Sequence, residues 1–168
     1  MATIKLKGNA IHTTGNLPGV GKTAPAFKLT AGDLSDVGLD KFAGKKKILN
    51  IVPSLDTGVC ALSAEHFNGN VAARKDLVLL NISADLPFAQ SRFCDSKSLK
   101  SIVPLSTFRS PNFGKDYGVQ IIDGPLAGLM SRAVIVLDAC DKVVYAEQVP
   151  EIAQEPNYDA ALAAADRC

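Results

Sequence analysis

Residues 47–67 read KILNIVPSLDTGVCALSAEHF, and two periodicities meet inside them. Lys47 to Pro53 is an apolar run of the length of a buried strand, closed by a proline that has no N–H to give a ladder. From Thr57 to about Arg74 the pattern turns helical, with Cys60, Ala64, Phe67 and Val71 at i, i+4, i+7 and i+11. With Thr57 as N-cap, Cys60 falls at the third helical position. There the backbone N–H groups are unpaired and the helix dipole is positive, which favours an anionic sulfur over a thiol. The same spacing puts the sulfur on the inward stripe, at its mouth. Pro53 can wall off water there, and Thr57 is the nearest hydroxyl. Asp56 should face outward or reinforce the helix start, because an inward carboxylate would disfavour a thiolate. Two readings stand at this point: a small apolar thiol packed in a core, or a reactive one.

Working outward, Leu77 to Ser83 reads as a second buried strand. Asp85-Leu-Pro87 reads as the start of a helix that runs to about Ser98. Ile102 to Ser106 is a third strand, Pro111 to Tyr117 a short helix ended by Gly118, and Asn157 to about Asp166 a closing helix. Ala133 to Leu137 and Val143 to Glu147 flank the turn Asp138 to Lys142 as a hairpin. Towards the N-terminus, Thr3 to Lys7 and Ala10 to Thr13 form another hairpin about a Gly8-Asn9 turn. A Gly/Pro-rich loop leads to a short strand, Phe27 to Thr30, and Leu34 to Phe42 is irregular with a possible helical turn. Lys45 to Lys47 reads as a solvated turn. This order predicts an α/β architecture: a central mixed sheet flanked by helices on both faces, with an N-terminal hairpin. It describes a thioredoxin-like fold and fits other α/β sandwiches as well. One domain over residues 1–168 is the expectation for a chain of 168 residues, 47% of them hydrophobic.

Eighteen basic and seventeen acidic side chains give a formal charge of +1, which argues against a nucleic-acid footprint. The start, MATIKLKGNAIH, lacks the cationic opening and apolar middle of a signal peptide, and no apolar run approaches the ~20 residues of a membrane span. A cytoplasmic protein is the expectation. The cysteines are at 60, 94, 140 and 168, with no C-x-x-C, and His12 and His66 are far apart, so a structural zinc site is not expected. Cys94 has polar helical neighbours, Gln90, Lys97 and Ser98, against an apolar side of Leu86, Ala89 and Phe93, and should sit at an exposed edge. Cys140, in a hairpin turn, and Cys168, the last residue, read as incidental exposed thiols. A sulfur that attacks an O–O bond needs a cation favouring the thiolate and fixed donors for the departing oxygen, and arginine supplies both. Arginines stand at 74, 92, 109, 132 and 167. Arg132, at the mouth of the strand Ala133 to Leu137, is the candidate, with an ordinary strand-end charge as the competing reading.

Pro53, Thr57 and Cys60 stand as P-x-x-x-T-x-x-C, the active-site pattern of peroxiredoxins. Together with ISADLPFAQSRFC, PLSTFRSPNFGKDYGV and DGPLAGLMSRAVIVLD, they make essentially the whole chain resemble the bacterial thiol peroxidase subfamily, the atypical 2-Cys peroxiredoxins. The resemblance implies that Cys60 is the peroxidatic cysteine, Thr57 its orienting hydroxyl, Pro53 a shielding residue and Arg132 the arginine completing the pocket. It implies that Cys94 is the resolving cysteine of the same chain. It further implies hydroperoxide substrates, no cofactor, recycling by thioredoxin and a homodimer. Cys140 and Cys168 depart from the pattern. Since the two sulfurs belong to different helices and a disulfide needs Cα atoms within about 7 Å, one of the helices should unwind locally during turnover. A disulfide oxidoreductase would need a second cysteine at the helix start, where Gly58 and Val59 stand. A redox sensor remains as the reading from another class.

Overall fold

The computed structural model describes residues 1–168. β1 (Thr3–Leu6) and β2 (Asn9–His12) form a separate antiparallel hairpin. Leu6 pairs with Asn9, so the two-residue loop is Lys7-Gly8 and not Gly8-Asn9. Both loop residues have positive φ, 50° and 83°, the geometry that matches the twist of a two-residue hairpin.

The main sheet has seven strands. β3 (Leu29–Thr30), β4 (Asp36–Val37), β5 (Lys46–Ile51), β6 (Leu77–Ser83), β7 (Ile102–Ser106), β8 (Ala133–Leu137) and β9 (Val143–Gln148) lie in the order β4-β3-β7-β6-β5-β8-β9. β5, β6 and β7 are parallel, joined by crossovers through α1 (Gly58–Val71) and α2 (Pro87–Ser96). β8 and β9 add antiparallel on one side, β3 and β4 on the other. α3 (Phe113–Asp116) is one turn long, and α4 (Tyr158–Arg167) is capped by Asn157, whose side chain accepts from the Ala160 N–H. This is the mixed sheet that the order of elements predicts. Leu34–Phe42 resolves into β4 and a 3₁₀ turn at Leu39–Phe42.

The central strands are buried on both faces, so successive residues feed different cores. Ile48 and Val52 of the β5 segment join Leu79, Val134 and Val136 beneath α1, α2 and α4, together with Ala64, Phe67, Val71, Ala161 and Ala165. Leu49 and Ile51 join Leu80, Ile82, Leu105, Ile135 and Leu137 on the other face, against Phe113 and Tyr117. Helices therefore cover both faces. A third small cluster of Ile4, Ile11, Ile121 and Ile152 seats the hairpin on the body.

Lys46 and Lys47 are not in a solvated turn: β5 begins at Lys46, and Lys47 is 0% exposed. Its ammonium donates to the Asp141 carboxylate in the β8–β9 turn, and that single partner is what lets a lysine enter the sheet. No helix is long and apolar enough to cross a membrane.

Candidate active site

β5 delivers the chain to the site. The Val52 N–H still donates to the Ile82 carbonyl, and Pro53, buried, cannot continue the ladder. The chain then turns through Ser54 to Asp56 and enters α1. Thr57 holds the N-cap position with extended backbone (φ −120°, ψ 149°), yet its hydroxyl does not cap the helix and instead donates to the Ser54 carbonyl at 3.2 Å. The N–H groups of Gly58, Val59 and Cys60 consequently make no hydrogen bond within the chain. Thr57 is exposed, and its bond to Ser54 is the one its hydroxyl makes. Asp56 faces outward.

Cys60 is the third residue of α1 and 0% exposed. Its carbonyl accepts from the Ser63 hydroxyl at 3.0 Å, and Ser63 in turn accepts from Asn50 on β5. Asn50 also donates to Asn81, its neighbour in register on β6, at 2.7 Å. Oδ1 of Asn50, Nδ2 of Asn81 and Oε1 of Gln90 are left without partners, so a row of incompletely satisfied amides lies between the sheet and its helices.

Arg132 is brought to the sulfur by strand register. Ile51 pairs with Ala133, and one step beyond that pair on each strand are Val52 and Arg132. The guanidinium, 3% exposed, donates through Nε to the Ile152 carbonyl at 2.8 Å and through Nη2 to the Cys60 sulfur at 3.4 Å. Nη1 is buried without a partner, and the arginine makes no salt bridge. The cation thus has one donor on the sulfur and another unoccupied, the arrangement that can receive a small anionic or polar oxygen.

Cys94 is not at an exposed edge. It is 8% exposed, and α2 buries Pro87, Gln90 and Cys94, while Leu86 and Phe88 face solvent. Gln90 is what turns the helix over: its amide donates to the Ser83 hydroxyl and the Leu105 carbonyl, so a polar residue marks the inward face. Burial, with the Asp95 charge adding to it, pushes the Cys94 thiol above the ordinary range. Cys60 and Cys94 belong to the same buried cluster, and all four cysteines are free. Cys140 and Cys168 are exposed, on the β8–β9 turn and after α4. No three His, Cys, Asp or Glu side chains converge to hold a metal.

Asp85, read from the sequence only as part of a helix start, does something else. Leu86 is the N-cap of α2, and the Asp85 carboxylate accepts from the Ser54 hydroxyl (2.7 Å), the Leu55 N–H (2.8 Å) and the Ser83 hydroxyl (2.7 Å). Beside it a cleft of about 380 Å³ runs between Ser54–Asp56 and the Ala89–Phe93 flank of α2. A second cleft, of about 540 Å³ and lined by Phe27, Asp36 and Arg109 among others, contains neither the buried sulfurs nor Arg132.

A parallel β5–α1–β6 crossover with a buried sulfur at the start of its helix, beside a guanidinium, belongs to a fold of the thioredoxin-like class. Residues 19–162 match the Redoxin family, and the chain belongs to it. Thiol peroxidases of Mycobacterium bovis and Mycobacterium tuberculosis are each 56% identical over 164 residues, 98% of this chain and 98% of theirs. Among solved structures, a peroxiredoxin-like protein from Aquifex aeolicus superposes with a TM-score of 0.91 at 37% identity, covering 99% of this chain and 97% of that one. The thiol peroxidase from Chromobacterium violaceum gives 0.91 at 26% identity, over 98% of this chain and 95% of that one.

Proposed function

We propose that the chain is a thiol-dependent peroxidase whose peroxidatic sulfur is Cys60 and whose resolving sulfur is Cys94. The observation that carries the reading is the guanidinium of Arg132, with Nη2 on Sγ of Cys60 and Nη1 buried and free. The buried cation has no salt-bridge partner, so its field, together with that of the unpaired N–H groups opening α1, falls on the Cys60 sulfur. The Cys60 thiolate attacks one oxygen of hydrogen peroxide or an alkyl hydroperoxide. The S–O bond forms as the O–O bond breaks, and the departing oxygen leaves as water or alcohol after taking a proton. Arg132 holds that oxygen, and Pro53 keeps water from the sulfur.

The product is a sulfenic acid. Attack by Cys94 sulfur expels water and forms the Cys60–Cys94 disulfide. A dithiol reductant then opens it by exchange, returning both thiols. The family resemblance of the sequence motifs supports thioredoxin as that reductant and a homodimeric assembly, in a cytoplasmic protein. Because both sulfurs are buried on separate helices, the disulfide requires the first turn of α1 or part of α2 to open.

The test is reaction of the reduced protein with one equivalent of hydrogen peroxide, followed by non-reducing peptide mapping by mass spectrometry. A Cys60–Cys94 linkage is expected. Links that instead involve Cys140 or Cys168, or a Cys60 that stays a free thiol, reject the reading.

A further inference from the structure

Arg132 is held from a direction that the peroxidase chemistry does not explain. Its Nε donates to the carbonyl of Ile152, a residue outside the sheet, and the segment carrying that carbonyl is gripped by the N-terminal hairpin. The Lys5 N–H donates to the Pro150 carbonyl at 2.7 Å, and the Ile152 N–H donates to the Lys5 carbonyl at 2.9 Å, a parallel bridge that adds residues 150–152 to the edge of β1. The Ile152 side chain is packed among Ile4, Ile11 and Ile121. Between these bonds, the Glu151 carboxylate reaches the hairpin loop. One oxygen accepts from the Lys7 N–H at 3.0 Å, the other from the Gly8 N–H at 3.0 Å.

We propose that Glu151 is a positioning residue for the peroxide reaction: by clasping the Lys7-Gly8 loop it fixes the Ile152 carbonyl, and through that carbonyl the Arg132 guanidinium over the Cys60 sulfur. The inference rests on the role given above to Arg132. A guanidinium with Nε anchored can rotate about few bonds, so Nη2 and Nη1 are delivered to the sulfur and to the incoming oxygen together. Releasing the anchor leaves the charge nearby and removes its aim, and a small misplacement at a reacting centre lowers the rate more than it lowers stability.

The experiment compares two reagents at the same sulfur of the full-length reduced protein. Hydrogen peroxide needs the aimed donors, while iodoacetamide needs only an accessible thiolate. Since the chain has no tryptophan, quench-flow mass spectrometry follows both modifications of Cys60. Glu151→Ala should lower the peroxide rate constant about tenfold or more and leave alkylation nearly unchanged. Glu151→Gln, which keeps an acceptor oxygen, should fall between. In an Arg132→Met background, itself slower by about a hundredfold, Glu151→Ala should cost nothing further. In parallel, the Arg132 Nε–H resonance should exchange with solvent faster in Glu151→Gln than in the parent, a measurement that serves even if the alanine variant does not fold. A peroxide rate and Nε–H exchange unchanged in the Glu151 variants, or peroxide and alkylation rates falling by one common factor, overturn the assignment. A parental peroxide rate in Arg132→Met would instead overturn the role of Arg132 itself.

Discussion

The Leu55 N–H donates to the Asp85 carboxylate at 2.8 Å, so the segment leading into the Cys60 helix is tied to the residue just before the Cys94 helix. The two segments that would rearrange to form the proposed disulfide share this one carboxylate. Asp85→Ala leaves the Leu55 N–H and two hydroxyls without their acceptor, at a cost of about 1–3 kcal/mol for a buried donor. Hydrogen exchange in residues 54–60 and 86–96 should quicken, and the sulfenic acid should convert to disulfide faster than in the parent. Unchanged exchange in both segments would contradict the latch.

Removing Cys94, the proposed resolving sulfur, should separate the two chemical steps. Cys94→Ser should consume about one equivalent of peroxide and then lose thioredoxin-coupled turnover, since the sulfenic acid stays open to further oxidation. Sustained turnover of that variant, followed by thioredoxin-linked NADPH oxidation, would remove Cys94 from the cycle.

The Cys94 thiol also sets a pH dependence. Burial first, and the Asp95 charge second, raise its value in the folded chain above that of an unfolded one. The closed state therefore binds the proton more tightly. Its stabilisation is complete below the ordinary thiol value of about 8.5 and is lost as pH rises from there through the raised folded value. Cys94 labelling in a Cys60→Ser protein should be slow at pH 7 and accelerate above the ordinary range more steeply than a free thiol does. Asp95→Asn should narrow that window.

Buried Lys47 is paired with the partly exposed Asp141, and loss of that partner should affect stability and not chemistry. Asp141 has φ 63°, a conformation asparagine also accepts, so Asp141→Asn isolates the charge. Leaving the ammonium unpaired should cost about 3 kcal/mol, and Lys47→Met in the same chain should recover most of it. Urea denaturation measures the series, and the peroxide rate should stay at the parental value throughout.

What could be read beforehand was whatever a local period encodes. β5, β6, β7, the β8–β9 hairpin and the inward stripe Cys60, Ala64, Phe67 and Val71 all followed from spacing of apolar residues. The misread positions share a different cause: a polar group whose partner is distant in sequence. Lys47 is inside because Asp141 waits 94 residues on, and α2 is turned inward by Gln90 because Ser83 and Leu105 accept its amide. Arg132 reaches the sulfur through the pairing of Ile51 with Ala133, and a register of that kind leaves no trace in either strand alone. The family resemblance points to Arg132, and the strand register brings its guanidinium to the Cys60 sulfur.

Arg132 is moored to the backbone at Ile152, and its one bond to helix α1 is to the Cys60 sulfur itself. In the cycle proposed here, drawing the sulfur across to Cys94 therefore leaves the cation behind. An oxidised chain would keep an empty receptor and no nucleophile, and peroxide entering it would depart unchanged. Reactivity would return only when a reductant frees the sulfur and α1 winds back to meet the waiting guanidinium, so the enzyme disarms itself once per turn.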